Sequence, residues 1–222
     1  AHLTAYRKAG FTVVGIFDPD QKKAEILAGD FGVATVFSSL EQAVAHAPEN
    51  AVFDIATPAT AIVETLSGLP DRAGVLIQKP MGEFLSDAKV IRERCRKKNL
   101  KAAVNFQLRY ASSSLAARTL IQQGAIGELH DMEINVNEYM PWHLWAWLTE
   151  VPRVEIVYHS IHYVDLILGF LGKPAGVYAK TTRHPFFSDL TATRSSIILD
   201  YGETIRASVT TNHGHDYGEE KQ

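Results

Sequence analysis

Short apolar runs alternate with amphipathic stretches along the first half of the chain. Each run has the length and composition of a buried strand, whereas the stretches between the runs repeat their apolar positions at helical spacing. Strands that alternate with helices in this way are typical of βαβ units around a parallel sheet. The predicted strands are residues 11–17, 34–37, 51–56, 74–77 and 101–106, and the predicted helices are residues 20–31, 40–46, 59–68 and 86–98.

The rhythm changes after Tyr110. A helix is predicted first, then a long strand of alternating polarity, a Trp-rich segment, a strongly apolar helix and three strands in direct succession. Consecutive strands predict an open, mostly antiparallel sheet and hence an α+β domain. These elements are residues 112–124, 128–139, 141–148, 154–171, 175–182, 194–201 and 204–211.

The two halves predict two domains. We expect a Rossmann-like, doubly wound α/β domain over residues 1–109 and an α+β domain over residues 110–222. Residues 1–10 resemble the last turns of a helix that stops at Gly10, with neither a Met nor a helix start before them. We therefore expect a chain truncated at its N-terminus that lacks the first strand of the α/β sheet. The polar residues after the last strand point to a second truncation.

Composition narrows the class of protein. The 222 residues carry a formal charge of −3 and are 46% apolar, which allows a substantial core and excludes a disordered chain. The near-neutral charge removes the electrostatic argument for nucleic acid, and no apolar run reaches the roughly 18 residues that a membrane span needs. Cys95 is the single cysteine, so no disulfide framework is predicted, and we expect a cytoplasmic protein.

Three polar segments follow directly on predicted strands of the first domain. They are Asp18, Thr57-Pro58 and Gln78-Lys79-Pro80. In open α/β sheets ligands bind beyond the carboxyl ends of the strands, so all three segments are predicted to lie at the ligand-binding edge. Lys79 could donate a hydrogen bond to a substrate hydroxyl or carry its proton. A solvated lysine in a loop is the alternative, although the bond to Pro80 constrains the backbone of Lys79 and directs its side chain.

Asp18 is placed to bind the 2′-hydroxyl of an adenosine ribose. Its charge would repel the 2′-phosphate of NADP, so the predicted cofactor is NAD, with NADP less favoured. A simple turn and helix cap over residues 18–20 is the alternative, and it stays open. The glycine loop that carries a pyrophosphate, G-x-G-x-x-G, occurs nowhere in the chain, as truncation before Ala1 would produce.

The apolar helix 154–171 carries a polar stripe. At 100° per residue, Tyr158, His162 and Asp165 fall within about 60° of one another, and Glu155 and His159 widen the stripe to about 120°. The rest of the helix is almost entirely apolar and lacks Lys and Arg from residue 154 to residue 172. The stripe is therefore predicted to line an enclosed polar cavity.

Two further groups of residues have open roles. Trp142 and its aromatic neighbours could stack on a sugar ring or pack in the core. Asn105, Gln107 and Arg109 alternate along a predicted strand end, where they could contact a ligand or form an exposed face. The histidines and carboxylates of the stripe could bind a metal, but their spacing matches no established zinc motif, so we predict no metal.

In order along the chain, a strand ending at Asp18, the Thr57-Pro58 turn, the Gln78-Lys79-Pro80 turn, the NFQLRY segment and the YHSIHYVD helix form one pattern. This pattern resembles the glucose–fructose oxidoreductase / inositol dehydrogenase / rhizopine-catabolism (Gfo/Idh/MocA) family over essentially the whole chain. The resemblance implies a Rossmann domain followed by an α+β domain whose open sheet often mediates oligomers. It also implies hydride transfer between NAD(P) and a carbinol of a sugar or cyclitol.

The resemblance assigns roles to particular residues. Lys79 occupies the position of the catalytic lysine, and its bond to Pro80 is often cis in the family. His162 is implied as the general acid/base, and Asp165 as a contact to a substrate hydroxyl. The sequence departs from the family where Tyr158 replaces an Asp and Gln78 replaces a Glu, and Ile62 lies near a position where a His is common.

The leading hypothesis is an NAD-dependent dehydrogenase or reductase of a sugar, polyol or cyclitol, and a homodimer or homotetramer. His162 would take the hydroxyl proton, and Lys79 would polarise the same oxygen. A sensor that binds NAD and sugar without turnover, and a lyase or glycosidase that uses NAD transiently, are the alternatives. The predicted substrate contacts are Tyr158, His159, Asp165, Trp142 and Arg109, and the predicted cofactor contacts are Asp18, Thr57, Pro58, Gln78, Lys79 and Gln107.

Overall fold

The structure, a computed structural model, describes residues 2–215. The chain divides into two compact units, Ala1–Val104 and Asn105–Gln222. The predicted domain boundary after residue 109 stays a prediction. No helix within the described range is both long enough and apolar enough to span a bilayer.

The first unit contains the parallel sheet that the sequence predicts. Its strands are β1 (Val52–Ile55), β2 (Gly74–Ile77) and β3 (Lys101–Val104), in that order across the sheet. Both pairs are parallel, with Ile77 of the central strand opposite Ile55 and Val104. The helices are α1 (His2–Ala9), α2 (Gln21–Phe31), α3 (Leu40–Ala45), α4 (Ile62–Gly68) and α5 (Leu85–Lys97).

Helices α4 and α5 form the core of this unit together with the sheet. Leu66 of α4, Ile77 of β2 and Ile91 of α5 are almost fully buried in one cluster. Asp54 of β1 accepts hydrogen bonds from His2 and Tyr6 of α1, which connects that helix to the sheet. Burial and the hydrogen bond to Asp54 raise the pKa of Tyr6.

Two predicted strands are wrong. Residues 11–17 and 34–37 form only a single parallel bridge between Ile16 and Val36, and Phe11 is 68% exposed. A strand requires a ladder of hydrogen bonds, whereas composition only favours one. The backbone bonds at this bridge are Ile16 N–H to Thr35 O and Phe37 N–H to Ile16 O, and the described residues supply no strand on the other side of 11–17.

The second unit is built on a four-stranded mixed sheet. Its elements are α6 (Ser112–Gln122), β4 (Asp131–Asn137), α7 (Ile161–Leu171), β5 (Gly176–Thr182), β6 (Arg194–Asp200) and β7 (Arg206–Asn212). The strand order is β4-β7-β6-β5, with β4 and β7 parallel and the other two pairs antiparallel. The predicted α+β fold is confirmed. One parallel pair makes its sheet mixed.

One face of this sheet packs against α7. Buried side chains alternate along β6 and β7, and Ile197 and Val209 contact Ile167 of the helix in a single apolar cluster. At one end of the two strands the buried positions change to hydroxyls, Ser195 and Thr211. The α7 helix is preceded by a π-helical turn, Ile156–Ser160, in which hydrogen bonds join residues five apart.

Candidate active site

The carboxyl edge of the parallel sheet carries two of the predicted residues. Thr57 and Lys79 each lie two residues beyond a paired strand position, Ile55 and Ile77 respectively, so the register places them at one edge. The Thr57 hydroxyl is buried and has no hydrogen-bond partner within residues 2–215. Nucleotide cofactors bind at the carboxyl edge of such sheets, so a hydroxyl there that lacks a hydrogen-bond partner is suited to contact a cofactor.

Lys79 lies in a desolvated environment. Its burial lowers the pKa of the ammonium group below the ordinary value near 10.5. The backbone N–H of Lys79 donates to Oε1 of Gln78 at 3.2 Å, and the Lys79–Pro80 peptide bond is cis, as expected from the resemblance. Desolvation favours the neutral amine, which is the form that can accept a proton.

Asp18 forms the turn that the sequence offered as the alternative to ribose binding. Its Oδ1 accepts the backbone N–H of Asp20 at 2.8 Å, and Asp20 in turn caps α2 by accepting the N–H of Lys23. The turn uses one carboxylate oxygen of Asp18. Ribose recognition by Asp18 stays a prediction.

The expected alternation of Asn105, Gln107 and Arg109 on a strand is wrong. The strand β3 ends at Val104, and residues Gln107–Tyr110 form a 3-10 helix. With three residues per turn, Gln107 and Arg109 point in different directions. Gln107 is exposed, whereas Arg109 reaches Asp165 on α7.

Arg109 and Asp165 form a bidentate ion pair. The Nε atom of Arg109 lies 2.5 Å from Oδ2 of Asp165, and an Nη atom lies 2.7 Å from Oδ1. The two side chains are 33% and 13% exposed, so water screens the pair only in part. These hydrogen bonds raise the pKa of the Arg109 guanidinium. The pair fixes both predicted substrate residues against each other.

Removing one partner of this pair tests its strength. We expect Arg109→Ala to lower the free energy of unfolding by about 1–2 kcal/mol, between the values for exposed and buried pairs, because Asp165 would keep its charge without a partner. The matched control is Arg206→Ala, which breaks an ion pair with Asp131 whose side chains are 71% and 47% exposed. Urea unfolding measures the free energy of unfolding of both variants, and we expect a larger loss for Arg109→Ala than for Arg206→Ala. Equal losses would contradict a partly buried, stabilising Arg109–Asp165 pair.

His159 lies in a cluster of rings. It meets Trp142 edge-on with a centroid distance of 5.0 Å, and on another side it packs against His213 at 4.6 Å. The indole N–H of Trp142 donates to the backbone oxygen of His213 at 3.0 Å. Trp142 and His213 are buried, whereas His159 is half-buried. His159 is therefore the ring of this cluster that solvent reaches in part.

His162 and Tyr158 have different surroundings. The His162 ring is half-buried and meets the ring of Phe106 edge-on, with the centroids 6.1 Å apart. Tyr158 is buried in an apolar cluster and contacts Trp147 edge-on at 5.4 Å. The assignments of both residues stay predictions.

For Glu155, the predicted stripe is wrong. Its carboxylate is fully buried and accepts hydrogen bonds from the hydroxyls of Ser160, Ser195 and Thr211. The projection at 100° per residue assumes an uninterrupted α-helix, whereas the π turn adds residues to one turn and rotates the positions before it. Glu155 therefore faces the ends of β6 and β7.

Sequence reasoning missed His213 and the three hydroxyls around Glu155. A signal for two hydroxyls existed, because Ser195 and Thr211 continue the buried alternation of β6 and β7. His213 lies in a polar stretch just beyond β7, where no local pattern distinguishes it. Within residues 2–215 no group of three His, Cys, Asp or Glu side chains could hold a metal ion.

Comparison with known proteins defines the class. Residues 1–106 match the description "Oxidoreductase family, NAD-binding Rossmann fold", and residues 114–222 match "GFO/IDH/MocA C-terminal domain". The two units thus match the NAD-binding Rossmann domain and the C-terminal domain of one family. The chain belongs to the Gfo/Idh/MocA family, and both the predicted family and the predicted NAD-binding fold are confirmed.

Relatives with assigned activities act on sugars. The chain is 27% identical to a 1,5-anhydro-D-fructose reductase from Ensifer adhaerens, over 68% of this chain and 45% of the relative. It is 26% identical to a D-apiose dehydrogenase from Rhizobium rhizogenes, over 78% of this chain and 51% of the relative. The chain therefore spans about half the length of the curated relatives it matches.

Solved structures share the fold at lower identity. An oxidoreductase from Agrobacterium radiobacter, in complex with NAD+, L-tartaric acid and magnesium, superposes with a TM-score of 0.82 at 22% identity, covering 98% of this chain and 64% of that one. The WlbA dehydrogenase from Bordetella pertussis, in complex with NADH and UDP-GlcNAcA, gives a TM-score of 0.76 at 21% identity, covering 97% and 67%.

Proposed function

We propose that this protein is an NAD-dependent dehydrogenase or reductase that acts on a CH–OH group of a sugar, polyol or cyclitol. The observation that carries the proposal is that Thr57 and Lys79 both lie at the carboxyl edge of a parallel sheet, where Thr57 has a buried hydroxyl without a hydrogen-bond partner in residues 2–215 and Lys79 has a desolvated amine. The sugar-directed relatives support the substrate class. NAD, when bound, supplies the hydride acceptor or donor.

The residues of the chain supply proton transfer and orientation. His162 accepts the proton of the substrate hydroxyl during oxidation and returns it during reduction. Lys79 donates a hydrogen bond to a substrate oxygen, and its lowered pKa suits exchange of a proton at that oxygen. Both roles match the positions that the family uses for a lysine and a histidine.

The remaining assignments complete the proposal. The half-buried ring of His159, with the buried Trp142 packed edge-on against it, suits the apolar face of a sugar, and the Arg109–Asp165 pair offers charged hydrogen-bonding groups for hydroxyls. Tyr158 completes the proposed substrate contacts. The proposed cofactor contacts are Asp18, Thr57, Pro58, Gln78, Lys79 and Gln107. The cytoplasmic location and a homodimer or homotetramer stay predictions.

The test uses the full-length protein. NADH and NADPH are titrated while nicotinamide fluorescence is followed, and a panel of sugars, polyols and cyclitols is then assayed at the NADH absorbance band. Binding of NADH with net absorbance change supports the dehydrogenase. Turnover without net absorbance change selects a lyase or glycosidase, and ligand binding without turnover selects a sensor. Failure to bind either nucleotide overturns the proposal.

Asp18 provides a separate prediction about cofactor choice. Asp18→Ala should weaken NADH binding about tenfold or more, because a charge-assisted hydrogen bond to the ribose is lost, while NADPH binding weakens less or improves. The control is Asp20→Asn, since an amide still caps α2 and Asp20 has no proposed contact with the cofactor. Equal losses for the two nucleotides would contradict ribose recognition by Asp18.

A further inference from the structure

A fully buried carboxylate lies behind the ring cluster of the second unit. Glu155 is 0% exposed, and its three hydroxyl donors come from the π turn and from two strands, with Ser160 and Thr211 both 2.6 Å from Oε1 and Ser195 against Oε2. Burying a carboxylate costs several kcal/mol unless hydrogen bonds and charges compensate it.

The π turn explains how this carboxylate reaches its partners. Glu155 and Ser160 are five residues apart, and only a turn with that hydrogen-bond spacing stacks them. Their contact spans the turn, and Tyr158 and His159 lie between its two ends. Glu155 thereby fixes the segment that presents two of the proposed substrate residues.

His213 connects the carboxylate to the ring cluster. Its Nδ1 lies 3.3 Å from Oε1 of Glu155. The imidazole therefore contacts the carboxylate, although the two atoms are not aligned as a hydrogen bond. The same ring packs against His159, and the backbone oxygen of His213 accepts the indole N–H of Trp142. His213 is 1% exposed, so its ring has little freedom to leave this position.

Two other groups face this region. Oε2 of Glu138, an exposed carboxylate, lies 3.8 Å from Nε2 of His213. Burial and the charges of Glu138 and Glu155 raise the pKa of Tyr163 to about 12. His213 therefore lies between a buried carboxylate and an exposed one, and water screens the charge of Glu138 more than that of Glu155.

We infer that Glu155 and His213 are positioning residues that act together to hold the His159 ring against Trp142 at the proposed substrate site. This inference rests on the proposed function. Neither residue is assigned a contact with substrate. Their effect on catalysis passes through the π turn and through the imidazole of His159, which packs against His213.

The experiment combines kinetics with NMR of histidine-labelled, full-length protein. In Glu155→Gln, which keeps the size of the side chain but not its charge, we expect the His159 ring resonances to shift and kcat to fall about tenfold or more, as loss of orientation predicts. NADH binding should stay unchanged. His213→Asn is the second variant, and it should reproduce both effects. The double variant should lower kcat no more than the more severe single variant, because the effects of residues that act as a unit are not additive.

Two comparisons separate positioning from stability. Glu138→Gln removes the exposed carboxylate beside His213 and should change kcat by less than about twofold. Ile197→Val shortens a buried aliphatic side chain of the cluster between α7 and the sheet, and it gives the change in kcat that a loss of stability alone produces. If Glu155→Gln matches Ile197→Val in kcat and leaves the His159 resonances in place, the inference is overturned. In a protein that shows no turnover, the proposed function fails, and the NMR comparison alone decides this inference.

Discussion

His162→Ala is expected to lower kcat by about 10²–10⁴-fold while the affinity for NADH changes by less than about twofold. The carbinol carbon cannot readily give up its hydride unless a base takes the proton of the attached hydroxyl, so removal of the proposed base affects the chemical step. All the proposed cofactor contacts except Gln107 lie in the first unit, and His162 is not among them, so NADH binding should not depend on this imidazole. Steady-state rates and NADH fluorescence titration measure the two effects separately.

The surroundings of His162 make the result interpretable. Its ring is half-buried and packs edge-on against Phe106. The His162→Ala substitution therefore leaves the buried apolar side chains of α7 in place. His143→Ala is the matched control, because that imidazole is exposed in the 3-10 helix Trp142–Leu144 and has no assigned role. Wild-type kcat in His162→Ala would remove His162 from the mechanism. A fall in both variants would indicate damage to the unit rather than loss of a base.

The elements of the fold could be predicted wherever local pattern decides structure. The strand Gly74–Ile77 and the helix before residue 172 have one strong periodicity each, and tertiary packing agrees with it. Residues 11–17 have an equally apolar pattern but do not form a strand, because a strand depends on a neighbour elsewhere in the chain. Pattern reports the tendency to pair, whereas the presence of a partner is a non-local fact.

The candidate site divides in the same way. The sequence placed Thr57 and Lys79 at one edge because parallel strands end at the same side, and the register agrees. It misplaced Glu155 because a π turn has no strong local signal, and one such turn rotates every earlier position on the helix. His213 was missed for a related reason, since its importance comes from a carboxylate far away in the sequence.

Lys79→Met is expected to lower kcat by about 10²-fold or more. The variant should not be less stable than the wild-type protein at neutral pH. Methionine retains the length and apolar stem of lysine but cannot donate to a substrate oxygen. A desolvated ammonium is unfavourable in the folded state, so its removal should raise the melting temperature slightly. Loss of activity together with equal or higher stability distinguishes a catalytic group from a structural one.

The difference in stability between the wild-type protein and Lys79→Met should depend on pH in a defined direction. Burial lowers the pKa of Lys79 in the folded state, so between that pKa and the unfolded value near 10.5 the unfolded chain binds more protons. The stability of the wild-type protein should therefore rise with pH across that window, relative to Lys79→Met. The advantage of the variant should be largest below the lowered pKa and vanish above 10.5.

Thermal unfolding of the two proteins at several pH values measures this difference directly. Lys89→Met is the control, because Lys89 is exposed on α5 and its replacement should change neither kcat nor the pH dependence. A variant Lys79→Met that is less stable than wild type at neutral pH would mean that the interactions of the ammonium group outweigh its desolvation. The desolvated amine would then be the wrong description of Lys79, and the proposed proton exchange at this residue would lose its physical basis.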